Sequence, residues 1–537
     1  MNIIQALLLA IAANLASGRI WSPVTWPFCY PLINGTIVGI ILGDPLLGML
    51  AGATINLAYI GWISAGGTMP SNIGIAGVYG TAITILAAAK PELAITFAIP
   101  IGLLGVLQWQ LQMTLNTIWV HRLDVNAEKA ELDKVWINAG LLPQLTAFII
   151  NGLPAFILIF LGGDFFVGLM EKIPQSIINA LTVVGGLLPA LGVAMLLKYL
   201  GKKNLVPYFI LGFFVSLYLN LGVMPVAIIG ACIAVIYYFS KKQEAGELVE
   251  DTLEEAELPK VELTKKLTKT DRVKHWLIGL GAEIGYNYER MQASGNILAM
   301  VPIIRRLYTD KKDISAAMKR YMVFFNTEPS FVGNVIPGVC ASLEEQKANG
   351  ADISDEMING LRTGLMGPLA GVGDSLAGGI IYPILISIGV SLALNNHSFG
   401  GPILFFFGFT GIMLLLGYNL YNMGYTRGGN SIMSILGEGK HSIVKLTDAF
   451  SILGLLVIGA MGATRVVAYT PIALTIGQTS MVLQEVLDGL VPNLLPFGII
   501  MGTWYLLNKK LNPAWIVLIL AVVGFIAYFL GILAVPA

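Results

Sequence analysis

Three short runs set charged or strongly polar side chains among apolar neighbours. The first holds Glu283, Asn287 and Arg290, spaced i, i+4 and i+7, with Glu289 beside them. One helix face would carry that stripe. It could be an internal Glu–Arg pair that fixes packing, or a group of contacts for a polar ligand. The second run is Asn326-Thr327-Glu328-Pro329-Ser330. Glu328 precedes a proline and is biased away from helical backbone, and Pro329 is suited to open a helix. A cap needs one short polar residue, and this run supplies four. The third, residues 366–375, spaces Gly367, Gly371 and Gly373 around Asp374. Glycines allow close approach of a ligand or a neighbouring helix, and Asp374 is then an acceptor in a confined place. Earlier in the chain, Asn56 and the loop carrying Ser64, Ser71 and Asn72 offer neutral donors and acceptors suited to hydroxyl groups. A lone Asn in an apolar helix is commonly packing glue, which makes the loop the stronger candidate.

The surroundings give these residues their meaning. Of 537 residues, 56% are hydrophobic and only 12% charged, too few to clothe a soluble surface. Lipid must cover most of the outside, so the chain reads as a multi-pass membrane protein. A charge at membrane depth costs about 2.5–3.5 kcal/mol on insertion scales, so each one is a site hypothesis. Lys+Arg and Asp+Glu are equal at 32 each, which leaves no basic excess for nucleic acid. Arg19 follows the first apolar run instead of preceding it, the wrong order for a secretory signal, so residues 3–17 are expected to be a retained membrane helix.

Catalysis and metal binding find little support. No phosphate-binding G-x-x-x-x-G-K-[ST] loop is present, and Gly371-x-Gly373 follows no strand pattern. The three cysteines are scattered. His121, His275, His397 and His441 have no metal-ligand spacing and read as solvated loop or interfacial residues. No cofactor or metal is expected.

The expected fold is all-α and polytopic, with two similar halves built of broken helices. Residues 241–274 form a mixed-charge linker placed in the cytoplasm, between membrane domains at 1–240 and 275–537. Breaks are expected at Gly43-Asp44-Pro45, Gly185-Gly186 and Gly371–Asp374. Such interruptions are tolerated where backbone lines a wet cavity, which suits a transporter. Leu187-Leu188-Pro189 before Lys202-Lys203 is echoed by Leu494-Leu495-Pro496 before Lys509-Lys510, and Gly43-Asp44 by Gly373-Asp374. Tyr308–Arg320 and Ser342–Asn359 are polar enough to be helices outside the bilayer. The function expected from these features alone is movement of a small polar solute. An ion-coupled secondary transporter and a membrane receptor are the competing readings.

The second half resembles the IID membrane subunit of the mannose-type sugar phosphotransferase system. The resemblance rests on Tyr288-Glu289-Arg290-Met291-Gln292, Met300-Val301-Pro302, Arg305-Arg306-Leu307-Tyr308, Phe324-Phe325-Asn326-Thr327, Leu343-Glu344-Glu345-Gln346, Ala348-Asn349-Gly350 and Gly367–Asp374. The first half resembles the IIC subunit through Pro31-Leu32, Val38-Gly39, Leu42-Gly43-Asp44, Gly61-Trp62 and Leu211-Gly212-Phe213. The resemblance implies a fused IIC–IID permease of a bacterial cytoplasmic membrane, its two halves inverted relative to one another, forming a homotrimer surrounded by membrane lipid. It implies uptake of a sugar that separate cytoplasmic IIA and IIB partners phosphorylate, with no phosphohistidine on this chain. It carries Glu289, Asn326 and Asp374 over as sugar-site residues, with Glu283 and Glu328 facing the same place. Hexose-transporting relatives often carry glutamine where this chain has Glu283 and Glu328, glutamate where it has Asn56, and asparagine where it has Ser64. Within the class of a hexose or amino/modified sugar, these departures point to an amino-bearing or otherwise modified sugar, because extra carboxylates in a dry pocket favour a cationic amine and otherwise cost desolvation.

Overall fold

Proline, glycine and short polar side chains set many of the helix ends. The helix Pro31–Leu42 stops at Gly43, whose φ of 92° is left-handed. Asp44 then accepts from the Leu47 amide, and Pro45 opens the next helix, Pro45–Tyr59. Asn72 caps the helix Ile73–Leu86 in the same way, its side chain accepting from the Ile75 amide. The structure, a computed structural model, describes residues 2–61, 71–160, 174–243 except 201 and 203, and 263–535 except 439, 477, 478 and 512. Ser64 and residues 244–262 of the expected linker lie outside the described residues.

The molecule is nearly all helical, as its composition suggests. One two-stranded antiparallel hairpin, Ala473–Ile476 with Thr479–Val482, departs from the all-α expectation. Among the described residues five helices are long and apolar enough to cross a membrane, and a sixth arises if Leu483–Leu490 and Leu494–Asn508, bent by 77°, count as one span. The N-terminal helix forms over Ile3–Ser17.

Three sequence expectations are corrected. Gly371 and Gly373 do not break a helix: Asp355–Leu376 runs through them and widens into a π turn at Ala377–Ile381. Gly185 and Gly186 likewise lie inside Gln175–Leu187. A helical glycine costs about 1 kcal/mol, and neighbouring contacts outweigh it here. Conversely, no helix carries Glu283, Asn287 and Arg290. The helix Lys269–Gly279 ends before them, Ala293–Leu307 begins after them, and turns connect the two. Gly281 and Gly285 weaken helix there, and the Asn287 side chain bonds the backbone of Gly285, Arg290 and Met291, a local alternative to helical pairing. Lastly, His275 is fully buried, with Nδ1 3.0 Å from the Tyr421 hydroxyl, whereas His121 and His397 are exposed. The His441 side chain lies outside the described residues.

The halves share one core. Its largest cluster mixes Leu32, Met49 and Phe213 with Tyr382, Phe405 and Leu456. The helix Val206–Tyr218 lies on Lys440–Arg465 with glycines facing in both directions. A methyl at Gly212 would strike the Leu456 carbonyl oxygen, and one at Gly459 the Phe209 carbonyl oxygen. Absence of a side chain at both positions is what brings these backbones together.

The polar stretches form the helices Lys311–Tyr321 and Val335–Ala348, whose apolar residues pack with Val120, Leu123 and Ala139 of the first half in a second cluster. Arg320 and Glu344, 1% and 0% exposed, pair at 2.7 Å, and the hydroxyls of Tyr308 and Tyr321 donate to the same carboxylate. Burial opposes the Arg320 charge, yet the Glu344 carboxylate prevails and holds its pKa above the ordinary value.

Candidate functional site

The candidate site is a cavity between the halves, holding about 90 Å³ open to water-sized groups. At roughly 10–15 Å³ per water it admits several waters, or a few hydroxyl groups. The first half contributes the end of Ile3–Ser17, the loop after it, and the start of Ile73–Leu86. The second contributes the turns at 280–292, the loop 326–330, and Asp374, Gly378 and Tyr382 around the π turn.

Arg19 enters from the first half. Its φ of 44° is left-handed, which costs a non-glycine residue about 1–2 kcal/mol. The guanidinium lies 4.9 Å above the Trp109 ring, and Nη1 donates to Glu283 Oε1 at 2.9 Å. This pair crosses the boundary between the halves. Glu283 therefore does pair with an arginine, but with Arg19 and not with Arg290.

Glu328 is 2% exposed and lines the cavity. Its carboxylate accepts from the amides of Ser330, Phe331 and Val332 and from the Ser330 hydroxyl. A carboxylate facing consecutive amides at a helix start is a strong anion cap. Gly373 makes this possible, because a methyl there would overlap the Glu328 side chain. Asp374, on the next position of that helix, lines the cavity as well.

Neutral groups complete the wall. The Tyr286 hydroxyl donates to Asn326 Oδ1 at 2.8 Å, and both residues line the cavity. Thr327 is 7% exposed, and its buried Oγ1 has no hydrogen-bond partner among the described residues. Ser71 Oγ lies 3.4 Å from the Tyr59 hydroxyl, and the Asn72 amide donates to Ser17 Oγ at 2.9 Å. Tyr30 and Tyr382 stack at 4.0 Å and form an aromatic face of the same cavity. Aromatic faces beside hydroxyls and carboxylates suit a hydroxyl-rich ring, which has both C–H faces and O–H edges.

Of the eleven residues singled out in the sequence, six lie in the wall of this cavity and four others do not. Glu283, Asn326, Glu328, Asp374, Ser71 and Asn72 line it. Asn56 stands behind Tyr382: its amide donates to the Tyr382 hydroxyl at 3.4 Å, and its oxygen accepts from the Leu32 amide. Asn287 is buried and ties its own turn. Glu289 and Arg290 lie outside the cavity, in an ion-pair group with His121 and Asp124 of the helix Ala94–Glu128. Ser64 is outside the described residues. Sequence reasoning missed Arg19, Tyr286 and Thr327 as wall residues, and Gln292 as the residue that ties down the 326–330 loop. Thr327 stands in the polar run Asn326–Ser330, and Gln292 ends the Tyr288–Gln292 motif. Arg19 was visible as the first charge after an apolar helix.

A family model for the IID component of the mannose/fructose/sorbose family of the phosphotransferase system matches residues 266–533, and a sorbose-specific IIC component model matches residues 3–236. The sorbose-specific EIID component of Klebsiella pneumoniae is 41% identical over 50% of this chain and 99% of its own length. The mannose-specific EIID component of Escherichia coli is 40% identical over 50% of this chain and 96% of its own length. The sorbose-specific EIIC component of Klebsiella pneumoniae is 28% identical over 38% of this chain and 78% of its own length.

Proposed function

The chain belongs to the mannose/fructose/sorbose family of the phosphotransferase system, with IIC and IID components in one polypeptide, and on that premise we propose that its cavity between the halves binds a neutral hexose during uptake. It is a sugar permease of the bacterial cytoplasmic membrane and works with cytoplasmic IIA and IIB partners, which carry out phosphoryl transfer. The ion-coupled alternative is not favoured.

The observation that carries the substrate reading is that two of the three carboxylates lining the cavity, Glu283 and Glu328, are held by donors of the protein itself. Glu283 faces Arg19, and Glu328 faces three amides and a hydroxyl. Both carboxylates have donors from the protein itself, so neither requires a cationic amine on the sugar. Asn326, Thr327, Ser71 and the stacked tyrosines supply contacts for hydroxyls and a ring face.

On this reading residues 1–240 are the IIC-like domain, 241–274 a cytoplasmic linker and 275–537 the IID-like domain. The chain assembles as a homotrimer in lipid. The decisive experiment is uptake of labelled mannose, fructose and sorbose into proteoliposomes, with and without phosphorylated IIA and IIB proteins. Accumulation of sugar phosphate only with the phosphorylated partners supports the reading. Accumulation of unmodified sugar that collapses with an ion gradient overturns it. Native mass spectrometry from nanodiscs reads the stoichiometry, and a single-chain species would overturn the trimer.

A further inference from the structure

Arg290 belongs to the Tyr288–Gln292 motif, yet it does not reach the cavity. Its guanidinium instead grips the other half of the molecule. Nη1 and Nη2 donate to Asp124 Oδ1 and Oδ2 at 2.6 and 2.9 Å, the two-pronged geometry in which Arg binds carboxylates best. Nη1 also donates to the Met322 carbonyl at 3.3 Å. Glu289, next to it, pairs with His121 at 3.0 Å, one turn before Asp124 on the same helix. The helix Ala94–Glu128 of the first half thus holds this segment through two adjacent side chains.

From Arg290 the connection to the cavity is short. The Phe325 amide donates to the Arg290 carbonyl at 3.3 Å, and the Gln292 amide donates to the Phe325 carbonyl at 2.8 Å. The Gln292 side chain repeats the exchange: Nε2 donates to the Thr327 carbonyl at 2.7 Å, and Oε1 accepts from the Thr327 amide at 2.9 Å. Four hydrogen bonds therefore suspend residues 325–327 from residues 290–292, and Asn326, Thr327 and Glu328 face the cavity from that suspended loop. Asn287 stiffens the turn from inside, its oxygen accepting from the Arg290 amide at 2.8 Å.

We propose that Asp124 is a positioning residue for the cavity loop at 325–328, acting through Arg290 from the opposite half of the chain. The proposal rests on the cavity being the sugar site. A carboxylate on the IIC-like half then fixes where the IID-like half presents Asn326, Thr327 and Glu328, so affinity depends on how the halves are seated. A pair that only stapled the halves together would change the amount of folded protein and leave affinity alone.

Two measurements on Asp124→Asn, Asp124→Glu and wild type test this. In proteoliposomes with phosphorylated partners and mannose, fructose or sorbose as probe, Asp124→Asn is expected to raise apparent KM about tenfold with Vmax within about twofold, and Asp124→Glu to stay near wild type; tenfold corresponds to about 1.4 kcal/mol. In the second, Thr327→Cys is labelled with a maleimide and the modified peptide is quantified by mass spectrometry. Labelling is expected to be about tenfold faster in the Asp124→Asn background, because a loosened loop exposes a buried position more often. An unchanged KM, or an unchanged labelling rate, overturns the proposal. If wild type carries none of the three sugars, the sugar-site reading fails by itself, and the labelling rate alone decides whether Asp124 positions the loop.

Discussion

Neutralising Glu283 provides a quantitative test of the Arg19–Glu283 pair in the cavity wall. Arg19 and Glu283 are 2.9 Å apart, with side chains 12% and 13% exposed. Breaking a fully buried pair by removing one partner costs about 3–5 kcal/mol, and a hydrogen bond to a charged group about 1.5–3 kcal/mol. Residual solvent contact and the oxygen that glutamine retains place Glu283→Gln near the lower bound, at about 2 kcal/mol. That loss is expected as a lower melting temperature in detergent. Arg19→Gln should cost a similar amount, and the double variant should melt no lower than the worse single one, since the second change removes a charge already stranded. Sugar preference should barely respond. In competition uptake between mannose and glucosamine, the ratio for Glu283→Gln should stay within about threefold of wild type, because the wild-type charge is spoken for by Arg19. Strictly additive melting shifts would show that the pair is not coupled. A wild-type preference for glucosamine that Glu283→Gln reverses by more than about tenfold, or about 1.4 kcal/mol, would refute the neutral-sugar reasoning.

Glu328→Ala removes the acceptor for three amides and is expected to destabilise the protein by about 2 kcal/mol, read as a lower melting midpoint, with Glu328→Gln losing roughly half as much. Gly212→Leu should drive the Val206–Tyr218 and Lys440–Arg465 helices apart at a cost of about 1–3 kcal/mol or more, measured as loss of monodisperse protein on size exclusion. Glu344→Gln takes the buried partner from Arg320 and leaves it the Asp355 carboxylate, so the cost should be about 3 kcal/mol, the low end for a broken buried pair, again by thermal melting. Tyr382→Phe keeps the ring stacked on Tyr30 but loses the bond from Asn56; a fall in stability of about 1 kcal/mol or less is expected, and a larger one would mean Asn56 has a greater role than packing.

The membrane class followed from how few charges the chain carries, and the ordered motifs pointed to the family. Local punctuation was readable where backbone chemistry is strict: the left-handed Gly43, the Asp44 cap and Pro45 end one helix and start another. It failed where packing outweighs propensity, as at Gly373, which stays helical so that Glu328 can approach. The stripe of Glu283, Asn287 and Arg290 misled because periodicity presumes a helix, while Asn287 bonds its own backbone and turns the chain. The partners that organise the site were beyond sequence reasoning for a different reason. Arg19 meets Glu283 across 264 positions, and Asp124 meets Arg290 across 166. No periodicity links residues so far apart, and only the tertiary fold brings them together.

The interlocked glycines have a bearing on biogenesis. Gly212 leaves the ribosome roughly 250 residues ahead of Gly459, an interval of about 10–50 s at ordinary elongation speeds. Throughout that wait the backbone notch at Gly212 lacks the helix that fills it in the finished fold. Premature termination after the first half would leave the notch permanently unmatched, a lesion that membrane quality control could recognise by its shape.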